Sequence, residues 1–201
     1  SGFALALWNL GRTLWQARPL PLPARFVTIG LLCAGATAAL GIVFALVLDG
    51  ATDNPRLADL TTYGIPVHAA AGLGGWLTFT ALGVSYRLLA MFMLAPELDS
   101  ARSRAALYSG TVALAVVILG GTAAICLGRG LNAVFAVSSL LGLCAVALYG
   151  ADILHLYRAR KRRKIELNAR MAAVALTNLT VIALLSVALI ALGRFETKIG
   201  A

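Results

Sequence analysis

The sequence predicts an all-α, polytopic transmembrane helix bundle, on three observations. Of its 201 residues, 60% are hydrophobic and only 12% charged, with a mean hydropathy of +0.88; a soluble domain carries about a quarter charged residues. Five apolar runs reach the roughly 20 residues that a helix rising 1.5 Å per residue needs to cross a hydrocarbon core about 30 Å thick. No series of segments of about ten residues with alternating polarity is present, which disfavours a porin-type barrel. The same composition excludes a disordered chain, and three cysteines are too few for a disulfide-stapled scaffold.

Residues 1–24 read as a partial or interfacial N-terminal helix followed by a proline-rich connection. SGFALALWNL is apolar and resembles the last turns of a helix whose beginning lies outside the sequence, while GRTLWQARPLPLPAR brings arginines and prolines together near Trp8 and Trp15. That composition suits a chain passing through the headgroup region and turning. No charged region precedes the apolar run, as a secretory signal would require. The five-helix bundle then occupies 25–201, with spans at about 26–48, 66–95, 105–127, 131–155 and 170–193. Continuous runs of Ala, Leu, Val and Gly satisfy their own backbone hydrogen bonds in lipid as helices. Gly128-Arg129-Gly130 is short enough to force spans three and four into an antiparallel hairpin.

Lys and Arg in the short loops orient the bundle. Arg12, Arg18, Arg25, Arg102, Arg104, Arg158, Arg160, Lys161, Arg162, Arg163, Lys164 and Arg170 fall at one end; Arg56, Arg129, Arg194 and Lys198 fall at the other, with Asp49, Asp53, Asp59 and Glu196. The basic end is expected to be cytoplasmic in a bacterial inner membrane, with the C-terminus outside. The cluster Arg158, Arg160, Lys161, Arg162, Arg163 and Lys164 closes span four, where it anchors topology and meets anionic headgroups. The expected surroundings are therefore the lipid bilayer and other membrane subunits, with no nucleic acid.

The second span is the least generic. At 100° per residue, His68, Gly72, Gly75, Phe79, Gly83 and Tyr86 share a sector of about 80°. Two readings of that face stand side by side. Small residues about four apart let helices approach closely, with a histidine hydrogen-bonded to a neighbour. Alternatively His68 ligates haem iron, Gly72 and Gly75 admit the macrocycle edge, and Tyr86 packs on it. Arg87 either snorkels or meets a propionate or carboxylate.

His155 cannot share a haem with His68, because the two sit at opposite ends of their spans, roughly a membrane thickness apart. It is expected to hydrogen-bond Asp152 one helical step away. An inner haem on His155 with Met91 or Met93 is geometrically open, although methionines in an apolar helix more commonly pack. Cys33, Cys126 and Cys144 form no Cys-x-x-Cys and are expected to act as small hydrophobes. Deep ionisable groups are expected to be nearly lacking, which argues against an ion-coupled transporter. Asn178 is expected to hold helices together.

The pattern His68-x3-Gly72-x2-Gly75-Trp76, then Gly83-Val84-x-Tyr86-Arg87-Leu88-Leu89-x-Met91-Phe92, resembles a signature of membrane proteins distantly similar to the haem-copper oxidase catalytic subunit. It also resembles the nitric-oxide-response group of membrane proteins, thought to bind haem. LHLYRARKRRKIELNARM is similar to a cytoplasmic connection in such proteins. The resemblance implies a low-spin haem b with His68 as axial ligand. It does not imply oxygen or nitric-oxide reduction, because the further histidines of such a subunit are missing and Ala90 stands where relatives often have proline.

The resemblance tips the reading toward a haem-associated integral membrane subunit of a respiratory or nitrogen-oxide redox system, serving electron transfer or gas sensing. The alternative is a cofactor-free structural or assembly subunit packing within a larger membrane complex. A solute transporter ranks last, since five unbroken spans suit no inverted repeat.

Overall fold

The computed structural model describes residues 2–161 and 167–192. Arg162, Arg163 and Lys164 of the basic cluster, and Arg194, Glu196 and Lys198 at the C-terminal end, lie outside the described residues. Helix is the only regular structure among the described residues, and five helices are long and apolar enough to cross a membrane.

A short helix α1 (Gly2–Gln16) precedes α2 (Leu22–Leu48), which enters through Pro21, Leu22 and Pro23, residues suited to a first turn whose N–H groups have no partner. Asn54 then starts α3 (Pro55–Tyr63) by accepting a 3.0 Å hydrogen bond from the Arg56 N–H, with Pro55 at the first helical position. The remaining spans are α4 (Ile65–Met93), α5 (Ala101–Cys126), α6 (Asn132–Ala159) and α7 (Leu167–Leu192). Each runs antiparallel to the one before, as short connections require. Four of the five helices begin before the apolar runs do, because they continue through polar residues such as Arg102 and Arg25 into the headgroup layer.

Two features of the fold matter. First, α1 lies along α2. Leu7, Gly11 and Trp15 line a groove with Thr28, Leu32 and Gly35, and Phe3 reaches Trp76 in the middle of α4, ring to ring at 6.5 Å. Second, α4 is not a uniform α-helix. Ala70–Phe79, with three of its ten residues glycine, is wound as a wider π-type helix, and the Thr78 hydroxyl donates back five residues to the Leu73 carbonyl at 2.7 Å. Its buried positions, Ala71, Gly75 and Phe79, therefore recur every fourth residue.

Two apolar clusters hold the bundle. At the basic end Leu22, Phe26, Tyr86, Leu89, Leu107, Ile153 and Leu156 pack together. At the other end α3 folds over the bundle and buries Leu60 against Leu40, Val67, Ala124, Ile125 and Leu131.

Candidate functional site

The face of α4 singled out by the sequence meets α2 along its whole length, in antiparallel register. Phe26 lies against Gly83, Gly30 against Thr80, Cys33 against Gly75, Thr37 against Gly72, and Gly41 against His68. Each step along one helix is matched by a step on the other, with the glycine on α4 at Gly83, Gly75 and Gly72 and on α2 at Gly30 and Gly41. A Cβ at Gly83 would sit 2.6 Å from the Pro23 carbonyl oxygen and 2.8 Å from Phe26 Cβ, so only glycine fits there. A Cβ at Gly75 would fall on the Cys33 side chain. Small residues on both sides are what close approach of two helices in lipid demands.

This register bears on how a haem would fit the face. Gly72 and Gly75 cradle Thr37 and Cys33, so the edge of a macrocycle has no place along them while α2 is seated; those residues do not fit the group as placed. His68 is half-buried at the far end of the seam, its ring tilted on Phe44 at 5.4 Å and its Cε1 facing Gly41. Its Nδ1 is buried and has no hydrogen-bond partner among the described residues. Arg87 points away from Tyr86, is exposed, and pairs with Glu97 in the α4–α5 connection. His68, Gly72 and Gly75 thus share the seam, whereas Tyr86 belongs to the basic-end core and Arg87 to the surface.

Tyr86 leads to the polar centre of the bundle. Its hydroxyl donates to Asp152 Oδ2 at 2.9 Å, and Arg102 Nε donates to Asp152 Oδ1 at 2.6 Å. Asp152 is fully buried in α6, and the Arg102 side chain, 43% exposed, runs from it toward the basic surface. Beside this pair Tyr149 packs edge-on to Tyr86 at 5.2 Å, and its hydroxyl shares a 2.6 Å hydrogen bond with Ser85. Phe26 of α2 covers the other side of Tyr86 at 5.4 Å. One carboxylate therefore ties α4, α5 and α6 at a single point, with a donor on each of its oxygens, which is the condition under which a buried charge is tolerable.

These contacts correct one expectation and locate the exception to another. Ionisable groups inside the bundle are few among the described residues, and Asp152 is one that is completely enclosed. His155 does not bond Asp152: that carboxylate is held by Tyr86 and Arg102, while His155 sits exposed one step on. The signal was a charge set in an apolar run, LYGADILHL, which has to find a partner inside the bundle. An inner site of His155 with Met91 or Met93 is not assembled either, as Met93 is buried in the core and Met91 and His155 are exposed. Cys33 is buried, Cys126 half-buried and Cys144 exposed, and no group of three or more His, Cys, Asp and Glu side chains gathers among the described residues. Arg158, Arg160 and Lys161 are exposed at the end of α6, where the Lys161 N–H bonds the Met93 carbonyl at 3.2 Å.

Comparison with family models, with curated proteins and with solved structures finds no match for the chain.

Proposed function

We propose that the chain is a structural subunit of a larger membrane assembly, an integral bundle whose role is to present and hold helices rather than to carry a cofactor on α4. The observation that carries this reading is the α2–α4 seam. The face that would have to receive a macrocycle is filled by five successive helix contacts, and the one fully buried charge among the described residues is consumed in cross-linking three helices. The basic end is placed in the cytoplasm of a bacterial cell, with the C-terminus outside, because Lys and Arg in short loops set orientation. Lipid and other membrane subunits are its partners, and the exposed basic residues at the end of α6 serve headgroups rather than nucleic acid.

The test is to solubilise native membranes in mild detergent, isolate particles containing this chain, and measure their mass and haem content. A particle larger than one chain, with haem far below one per chain, is expected. A reduced-minus-oxidised b-type band in stoichiometric amount overturns the proposal.

The second reading, a haem-associated subunit in a redox system, is favoured by the unpartnered buried Nδ1 of His68. It requires α2 to leave the seam or the haem to lie beyond its outer end. Loss of the visible band in His68→Ala, with insertion intact, is the result it needs.

A further inference from the structure

We infer that α7 is a dimerisation helix and that its occupant is α7 of a second copy of this chain. The inference rests on the reading of the chain as an assembly subunit and supplies its first partner. The carrying observation is Asn178, the twelfth of the 26 residues of α7, which lies near mid-membrane on the exposed side of the bundle. Its neighbours Thr177 and Thr180 turn their hydroxyls back onto the carbonyls of Ala173 and Leu176 at 3.0 and 2.9 Å. The Asn178 carboxamide has no such outlet and makes no hydrogen bond among the described residues. A carboxamide left facing hydrocarbon at that depth is costly, and cross-helix hydrogen bonding is the usual remedy.

The residues around it say what shape the partner has. Met171, Val174, Asn178, Val181, Leu185, Ala188 and Leu192 recur at alternating steps of four and three, and all seven are exposed. That is the a/d seam of a left-handed pair of helices, with a single polar residue at an a position, the device that fixes register and copy number. The opposite side of α7, Ala169, Ala172, Leu176 and Leu179, is what packs on the bundle core, and the Ala169 carbonyl accepts from the Tyr157 hydroxyl. The exposed stripe is thus available without disturbing the fold.

The chemistry also selects a second copy. Two copies inserted by the same charge pattern stand parallel, so a two-fold axis along the membrane normal brings Asn178 to Asn178 at equal depth. A carboxamide both donates and accepts, so the two can satisfy each other reciprocally. A different chain would have to bring a matching polar group to the same level.

The test uses the full chain with Cys126→Ala and Cys144→Ala, retaining the buried Cys33, reconstituted in phosphatidylcholine–phosphatidylglycerol vesicles. Single cysteines are placed in turn at 171, 174, 178, 181 and 185, and at the control positions 172, 176 and 179. Oxidative cross-linking is expected at the first set and not at the second. Energy transfer between labelled copies on lipid dilution reads affinity: Asn178→Val should weaken dimerisation roughly three- to tenfold, and Asn178→Gln should retain it. A chain that is monomeric at every dilution, cross-linking that ignores the stripe, or a native particle in which a different protein covers Asn178 overturns the inference. None of these results depends on the haem content of the particle, so a stoichiometric haem band defeats the structural-subunit proposal while leaving the dimer measurement standing, and the converse holds.

Discussion

At the scale of single residues, Asp152 concentrates the most consequence. Replacing it by alanine strands the Tyr86 hydroxyl in the core and removes the partner of Arg102. Breaking a fully buried pair costs about 3–5 kcal/mol, but Arg102 retains access to the headgroup layer, so about 2–3 kcal/mol is expected here. Tyr86→Phe removes one hydrogen bond and leaves Asp152 with Arg102, at about 1–1.5 kcal/mol. The two losses should be non-additive, because the double variant lacks the shared bond; sodium dodecyl sulfate titration of the four proteins in mixed micelles gives the cycle, and strict additivity would remove the bond from the account. Leu94 offers the opposite sign. It ends α4 with φ 51° in the left-handed region while its side chain is largely exposed, so Leu94→Gly should relieve about 1 kcal/mol of backbone strain at little packing loss. A lower midpoint in the same titration would refute that. The apolar run around Asp152 signalled that it needs a partner, but which partners depends on the helices that surround it, and the φ of Leu94 depends on how the chain leaves α4.

At the scale of elements, the five spans were legible, since hydropathy over about 20 residues is a direct consequence of the membrane's thickness. The helix ends were less so, because helices do not stop where hydrocarbon stops. The surface helix α3 was missed although Asn54-Pro55 marks its start, for it is too short and polar to register as a span. The glycine-bearing face of α4 was recognised from periodicity as a surface for close approach; that its occupant is α2 could not be seen, because contact order between helices is a tertiary fact. The register makes a sharp prediction. Gly83→Ala drives a methyl group into the Pro23 backbone carbonyl, which cannot swing aside, and should cost about 1–3 kcal/mol. Gly75→Ala should cost a similar amount and be substantially restored by Cys33→Gly, which vacates the opposing position. Gly142→Ala, with open space around it, should change stability little. Equal effects at Gly83 and Gly142 would mean that α2 and α4 are not interlocked in the membrane.

At the scale of the whole molecule, the seam and the Asp152 tie fix how the helices sit against one another, while in the proposed orientation the loop charges set which way the bundle faces; the two are physically separable. Of the basic residues at the crowded end, six lie in Arg158, Arg160, Lys161, Arg162, Arg163 and Lys164, and seven others, Arg12, Arg18, Arg25, Arg87, Arg102, Arg104 and Arg170, are spread over the remaining connections and helix ends; the opposite end has four, Arg56, Arg129, Arg194 and Lys198. Exchanging the cluster for glutamine therefore reduces the bias without reversing it, and a mixture of orientations is expected, because topology responds to the difference between the two sides. Adding Arg12→Gln, Arg18→Gln, Arg25→Gln and Arg87→Gln leaves three basic residues, Arg102, Arg104 and Arg170, against four, and inversion should then predominate. A C-terminal reporter active only outside the cytoplasm reads the first as partial loss of signal and the second as near-complete loss, with protein level checked by mass. Inverted bundles should keep their packing, since Arg102 travels with Asp152, so their unfolding midpoint should stay close to that of the parent. A fully retained signal in both variants would show that the hydrophobic spans, and not the basic end, decide how this chain enters the bilayer.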